Sequence, residues 1–163
     1  MNLLTTLTAI VAVSHFQPSL CLTEKEQKLI TANNEFAIRL LKVLPSPPND
    51  NLFFSPYSLS TALGMAYVGA RGATQQQLSE ALGYSAASLT ESDVEEAFGH
   101  QNSRLQAHGS QAGLEVANSA AVQENFNVLE SYYNVLNHSF NAHVFKVDFE
   151  QHGQEAVDAI NAW

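Results

Sequence analysis

Apolar and polar positions along this chain follow two rhythms, one of about 3.6 residues and one of two. Thr23-Glu24-Lys25-Glu26 reads as a capping box, with Thr23 as cap and Glu26 reaching back. After it, Leu29, Ile30, Phe36, Ala37, Leu40, Leu41 and Leu44 recur at steps of three and four, which predicts an amphipathic helix. Pro45-Ser46-Pro47-Pro48 ends it. Leu52-Phe53-Phe54 is a short apolar run that predicts a strand. Ser55-Pro56 restarts a helix, since Ser suits the cap and Pro the first helical position. That helix carries Leu59, Leu63, Ala66 and Tyr67, and its small residues Ser58, Ser60, Ala62 and Gly64 predict close packing. Gly69-Ala70-Arg71-Gly72 reads as a turn. Thr74 with Gln77 predicts a second capping box, for a short helix ended by Gly83. Ser92 with Glu95 predicts a third, opening a helix with Val94, Ala97, Phe98 and Leu105 that stops at Gly109.

The rhythm then changes. Leu114, Val116, Asn118, Ala120 and Val122 alternate with Glu115, Ala117, Ser119, Ala121 and Gln123, a period of two that predicts a strand. Leu129 to Phe140 is helical again, with Tyr132, Tyr133, Val135 and Leu136. Phe145, Val147 and Phe149 alternate with Lys146 and Asp148, a second strand. A last helix starts near Gly153 and carries Ala156, Val157 and Ile160. No stop signal precedes Trp163, and two long strands make no stable sheet by themselves, so the pattern is that of part of a larger α+β domain. No internal repeat or low-complexity tract interrupts it.

Composition narrows the class. Of the 163 residues 45% are hydrophobic and 14% charged, a globular balance. Lys+Arg is 7 and Asp+Glu 16, a net charge of -9, which argues against phosphate-directed nucleic-acid binding and against an anionic membrane surface. One cysteine excludes an internal disulfide and a Cys-based zinc site. The apolar run Met1 to Val13 is too short to span a bilayer, and polar residues with Pro18 follow it, the pattern of a secretory signal peptide. Cleavage fits after Ser14 or after Cys21; Pro18 in the polar region favours the second. The expected organisation is then a leader over 1–21 and a domain portion over 22–163.

The run Asn51-Leu52-Phe53-Phe54-Ser55-Pro56-Tyr57-Ser58-Leu59-Ser60-Thr61-Ala62-Leu63 closely resembles the opening signature of the serpins. It continues through Gly64-Met65-Ala66-Tyr67-Val68-Gly69-Ala70-Arg71-Gly72-Ala73-Thr74, Gln77-Leu78 and Ala81-Leu82-Gly83. Val116 to Ala120 resembles the second strand of that family's central sheet, Phe140 to Phe149 its edge strand, and Ala159-Ile160-Asn161-Ala162-Trp163 the start of helix F. The resemblance implies the N-terminal part of a serpin fold, with helices A–F and strands 6B, 2A and 1A, truncated in helix F. It implies a secreted inhibitor of an extracellular trypsin- or chymotrypsin-like protease. Such a protein is a kinetically trapped fold whose cleaved loop enters the sheet as a new strand. The alternatives are a non-inhibitory serpin and a short product without inhibitory activity, because a serpin's reactive loop falls beyond Trp163.

By motif, Ser55 and Ser58 match the shutter serines under the point where the sheet parts, and Asn161 matches a helix F position packed over the sheet. Ser before Pro is also simply a good cap, and Ser58 a small residue at a helix contact. The segment 91–108 matches helix D, which binds heparin in some serpins; here it has four acids and only Arg104, which argues against that activation.

Other chemistry is sparse. His15, His100, His108, His138, His143 and His152 show no HExxH spacing, and Asp148 with His152 straddles a strand end and a helix start, so no metal site, cofactor or catalytic centre is expected. There is no G-x-S-x-G, P-loop or G-x-G-x-x-G. Glu91, Asp93, Glu95 and Glu96 cluster at a helix start, where they complement the dipole. Asn137-His138-Ser139 is an N-glycosylation sequon.

Overall fold

A computed structural model describes residues 21–45, 51–112 and 114–162. The expected leader falls outside them except for Cys21, which is exposed. The order is α1 (Glu24–Val43), α2 (Pro56–Gly69), α3 (Gly72–Ala81), α4 (Glu91–Ala112), β1 (Asn118–Gln123), α5 (Glu130–Phe140), β2 (Ala142–Val147) and α6 (Gly153–Ala162).

Local chemistry sets most of these boundaries. Thr23 and Glu26 form the expected box: Thr23 N–H donates to Glu26 Oε2 at 2.7 Å, and Glu26 N–H to Thr23 Oγ1 at 3.2 Å. Ser55 caps α2, with Pro56 at its first position. The other two expected boxes are not formed. α3 begins at Gly72, whose φ of 62° admits the chain into the helix, so Thr74 already lies inside the first turn and cannot cap. The box of α4 is Thr90 with Asp93: Thr90 N–H donates to Asp93 Oδ2 and Asp93 N–H to Thr90 Oγ1. Leu89 and Val94 are both buried, and they occupy the positions before the cap and one turn in that pin a helix start. That anchor moves the start two residues ahead of Ser92. α4 also runs through Gly109 to Ala112.

The buried face of α2 differs from the expected one. Ser60, Thr61, Gly64, Met65, Tyr67 and Val68 are buried, whereas Leu59 is 41% exposed. This helix is apolar around most of its circumference, so periodicity alone cannot choose the inner stripe. The choice falls on the face bearing Gly64, because a Cβ there would stand 3.0 Å from the Phe98 ring and 3.2 Å from that of Phe140. Of the small residues expected to pack closely, Gly64 does so against α4 and α5 and Ser60 is buried, whereas Ser58 and Ala62 are exposed.

Leu52–Phe54 is not a strand. A strand is defined by its ladder, and no neighbouring strand among the described residues supplies one; Phe53 is 97% exposed. The other two expected strands do pair. β1 and β2 run parallel, in register from Asn118 opposite Ala142 to Gln123 opposite Val147, with α5 as the crossover. β1 is shorter than the alternation predicted, because 114–117 is irregular, and β2 is displaced: it starts at Ala142, ahead of Phe145, and ends before Asp148, which turns the chain into α6.

The core gathers Leu29, Ala32 and Phe36 of α1, Met65 and Val68 of α2, Val94, Ala97 and Phe98 of α4, and Leu136 and Phe140 of α5. Buried polar groups pin the crossover helix to its neighbours. Tyr132 O–H donates to the Met65 carbonyl at 2.9 Å, and Asn102 Nδ2 donates to the Ser139 carbonyl at 2.6 Å. The first of these contacts sits beside Gly69, where a Cβ would come within 2.7 Å of the Tyr132 ring. Gly69→Ala is therefore expected to displace Tyr132 and lower stability by about 1–3 kcal/mol, read as a lower thermal midpoint.

Candidate functional site

The start of α2 carries the residues of greatest interest. Ser55 Oγ accepts from Ser58 N–H at 3.3 Å, and the two hydroxyl oxygens stand 3.0 Å apart. One helical turn therefore presents two mutually bonded hydroxyls, both exposed. They sit on a cleft of about 680 Å³ between α1, α2, α4 and the segment leading into β1. Leu29, Ile30 and Asn33 come from α1, Phe98, Gln101, Arg104 and Leu105 from α4, and 114–117 close one side. Tyr57 and Asn33 also face this cleft, and among the described residues the Tyr57 hydroxyl and Asn33 Oδ1 are buried without a hydrogen-bond partner. Burial pushes the Tyr57 phenol up, so the group stays a neutral donor. Hydroxyls and an amide oxygen on a largely apolar wall can receive backbone groups of a further element; nothing in the arrangement provides a nucleophile with its base.

A family model described as "Serpin (serine protease inhibitor)" matches residues 31–163. The chain belongs to the serpin family. It is similar to Iripin-2 of Ixodes ricinus, at 50% identity over 144 residues, 88% of this chain and 36% of that protein. Intracellular coagulation inhibitor 2 of Tachypleus tridentatus is 39% identical over 137 residues, 84% of this chain and 33% of its own length. The chain spans about a third of the length of these curated relatives. Among solved structures, cleaved kallistatin complexed with heparin matches with a TM-score of 0.71 at 28% identity, over 84% of this chain and 40% of that one. Reaction-loop-cleaved lamprey angiotensinogen matches with a TM-score of 0.65 at 27% identity, over 85% and 39%. The α+β arrangement is the N-terminal portion of the serpin fold.

Within this serpin portion, Ser55 and Ser58 are brought together, and Asn161 is not. Asn161 stands exposed on α6, and no hydrogen bond joins it to either serine among the described residues. Asn137 is exposed on α5. No group of three His, Cys, Asp or Glu placed to hold a metal occurs among the described residues. The acidic cluster serves the start of α4 and its neighbours: Lys25 binds Asp93 and Glu96, and Arg71 binds Glu91.

Two further charged contacts stand out. Glu26 is fully buried, and Arg104 of α4 closes over it, Nε donating to Oε1 at 2.8 Å. Burial pushes this carboxyl up, but the Arg104 guanidinium and the Thr23 N–H and hydroxyl outweigh it and hold the group below its ordinary value. The pair joins positions 78 apart, a pairing with no sequence signal. The second contact had one, the i,i+4 spacing of Asp148 and His152. Asp148 accepts from the Gln151 and Glu150 N–H groups, Gln123 Nε2 and His152 Nδ1, which hold it down at about 2. His152 is raised, first by that bond and then by the charge of Glu155.

Two measurements follow from these contacts. Arg104→Ala leaves the buried Glu26 carboxylate uncompensated and is expected to cost about 2 kcal/mol, less than for a fully enclosed pair because Arg104 is partly exposed. Glu26 has a depressed folded value, so its contribution is complete above its ordinary pKa and is lost as pH falls through the folded one. For His152, NMR titration is expected to give a midpoint above the ordinary 6.5, and Asp148→Asn to lower it. The sign for stability is opposite here: the charged-imidazole contact is complete below 6.5 and lost as pH rises through the raised value.

Proposed function

We propose that the complete protein, of which this chain is the N-terminal part, is a secreted suicide-substrate inhibitor of an extracellular trypsin- or chymotrypsin-like serine protease, and not an enzyme. The observation that carries this reading is the hydroxyl pair of Ser55 and Ser58 on a cleft with two further unsatisfied polar atoms. A trapped inhibitor must let its sheet part and accept a new strand. Polar side chains under the parting point then have to bond one set of backbone groups before insertion and another after it. A reciprocal serine pair suits that exchange, because each hydroxyl both donates and accepts and can rotate. In this reading, the partners of Tyr57 and Asn33 come from strands in the other two thirds of the protein. The same strands cover Phe53 and complete the two-stranded sheet.

The description of the family supports the target class, and the name of the Tachypleus relative supports inhibition. Secretion rests on the leader pattern over 1–21. Asn161 is proposed to pack over the sheet once the neighbouring strands are in place. The kallistatin neighbour was solved with heparin, but α4 here is a poor site for it. It carries the acids Glu91, Asp93, Glu95 and Glu96 against a single Lys or Arg, Arg104, and that cation is occupied by Glu26.

The test is incubation of the full-length protein with trypsin-, chymotrypsin- and elastase-like proteases. The expected result is an SDS-stable complex with one of them, formed at a rate that added heparin leaves unchanged. Cleavage of the loop without a complex would overturn inhibition in favour of a carrier or storage role.

A further inference from the structure

We propose that Asn137 carries an N-linked glycan, added while α5 is still unfolded, and that the α5 face bearing it stays open to solvent in the complete protein. The proposal rests on the secretion proposed above. Asn137-His138-Ser139 is the one Asn-x-Ser/Thr sequence, x not Pro, in the 163 residues.

The fold decides whether such a sequence can hold a sugar. α5 turns Leu136 and Phe140 into the core and bonds its neighbours through Tyr132 and the Ser139 carbonyl. Glu130, Tyr133, Asn134 and Asn137 form the opposite, exposed stripe. A sugar on Asn137 therefore leaves the packing of α5 on α2 and α4 untouched. It also covers the neighbourhood of Tyr133, an aromatic 43% exposed one turn earlier on the same stripe.

The same geometry fixes the timing. Asn137 and Ser139 are two apart in a helix, so their side chains do not face each other, and Ser139 is half-buried toward α4. A Cβ on Gly99 would stand 3.8 Å from the Ser139 Cα, and Asn102 Nδ2 donates to the Ser139 carbonyl, so α4 holds the backbone of the hydroxyl residue in its helical position. An enzyme that must engage both the amide and the hydroxyl therefore acts before α5 docks, during translocation. Once docked, the site keeps its sugar exposed but accepts no new one.

The experiment is expression of the full-length protein in secreting eukaryotic cells, with peptide mapping before and after peptide N-glycosidase. The expected result is a glycosylated peptide spanning Asn137 that the glycosidase converts to the Asp form. N137Q and S139A should each lose the glycan, and N137Q, altering only an exposed side chain, should still be secreted. Folded protein made in bacteria should resist modification by an oligosaccharyltransferase that modifies the isolated 130–141 peptide. A secreted, leader-cleaved product with an unmodified Asn137 overturns the site and leaves secretion standing. A product retained in the cytosol with its leader intact overturns secretion, and the glycan with it. Modification of the folded bacterial protein overturns the timing.

Discussion

Phe98 and Phe140 meet with ring centroids 4.7 Å apart over the position where Gly64 has no side chain. Three helices converge there, α2 through its glycine and α4 and α5 through their rings. Any larger residue at 64 would push α2 off both rings, and interiors packed to crystal-like density do not absorb such a shift cheaply. The contact sets the depth at which α2 lies, and with it the placement of Ser55 and Ser58. It also sets α5, whose last residue is followed at once by β2. Asn118 Nδ2 donates to the Phe140 carbonyl at 2.8 Å, so the first residue of β1 is tied to the same point. The parallel pair thus inherits its position from an aromatic contact outside the sheet.

Around that apolar junction, charge fixes the outer helices. The chain carries -9 overall, yet several of its acids are engaged by cations of other elements. Lys25 holds Asp93 and Glu96, and those bonds raise its ammonium to about 12. Such exposed pairs contribute little each. Glu26 with Arg104 differs, because the carboxylate is enclosed and removal of its partner leaves a desolvated charge. These contacts join α1 to α4, the two helices that flank the cleft with Ser55 and Ser58. A sequence with so few cations has committed Lys25, Arg71 and Arg104 to internal partners, which is also why α4 offers no basic face to a polyanion.

The features left open are as informative as those closed. A two-stranded parallel sheet is an unusual stopping point, since parallel strands are normally covered on both faces. Phe53, Val43, Phe126 and Leu129 are all more than 60% exposed. The curated relatives are about three times as long, and in the complete protein proposed above their additional strands cover these surfaces. The exposed stripe of α5 with Asn137 is polar apart from Tyr133 and needs none.

By itself the sequence determined the helices, their approximate order and the family. The Thr23 box, the Ser55-Pro56 start, the stop at Gly83 and the period-two runs depend on interactions within one turn or one strand, which spacing records directly. It singled out Ser55 and Ser58 through an ordered motif around them, and the structure adds that their hydroxyls are bonded to each other. What only the tertiary structure decided were choices between faces and partners. α2 is apolar on most sides, and packing against Phe98 and Phe140 selected the inner stripe. Leu52–Phe54 has strand composition, but a strand exists only with a neighbour, and none is present among the described residues. Thr90 rather than Ser92 caps α4 because Leu89 and Val94 are anchored in a core built by other helices. Glu26 looked like a capping residue alone; its burial under Arg104 depends on a helix that arrives 78 positions later. Local bonds leave a trace in spacing, whereas contacts between distant elements exist only once the chain has closed on itself.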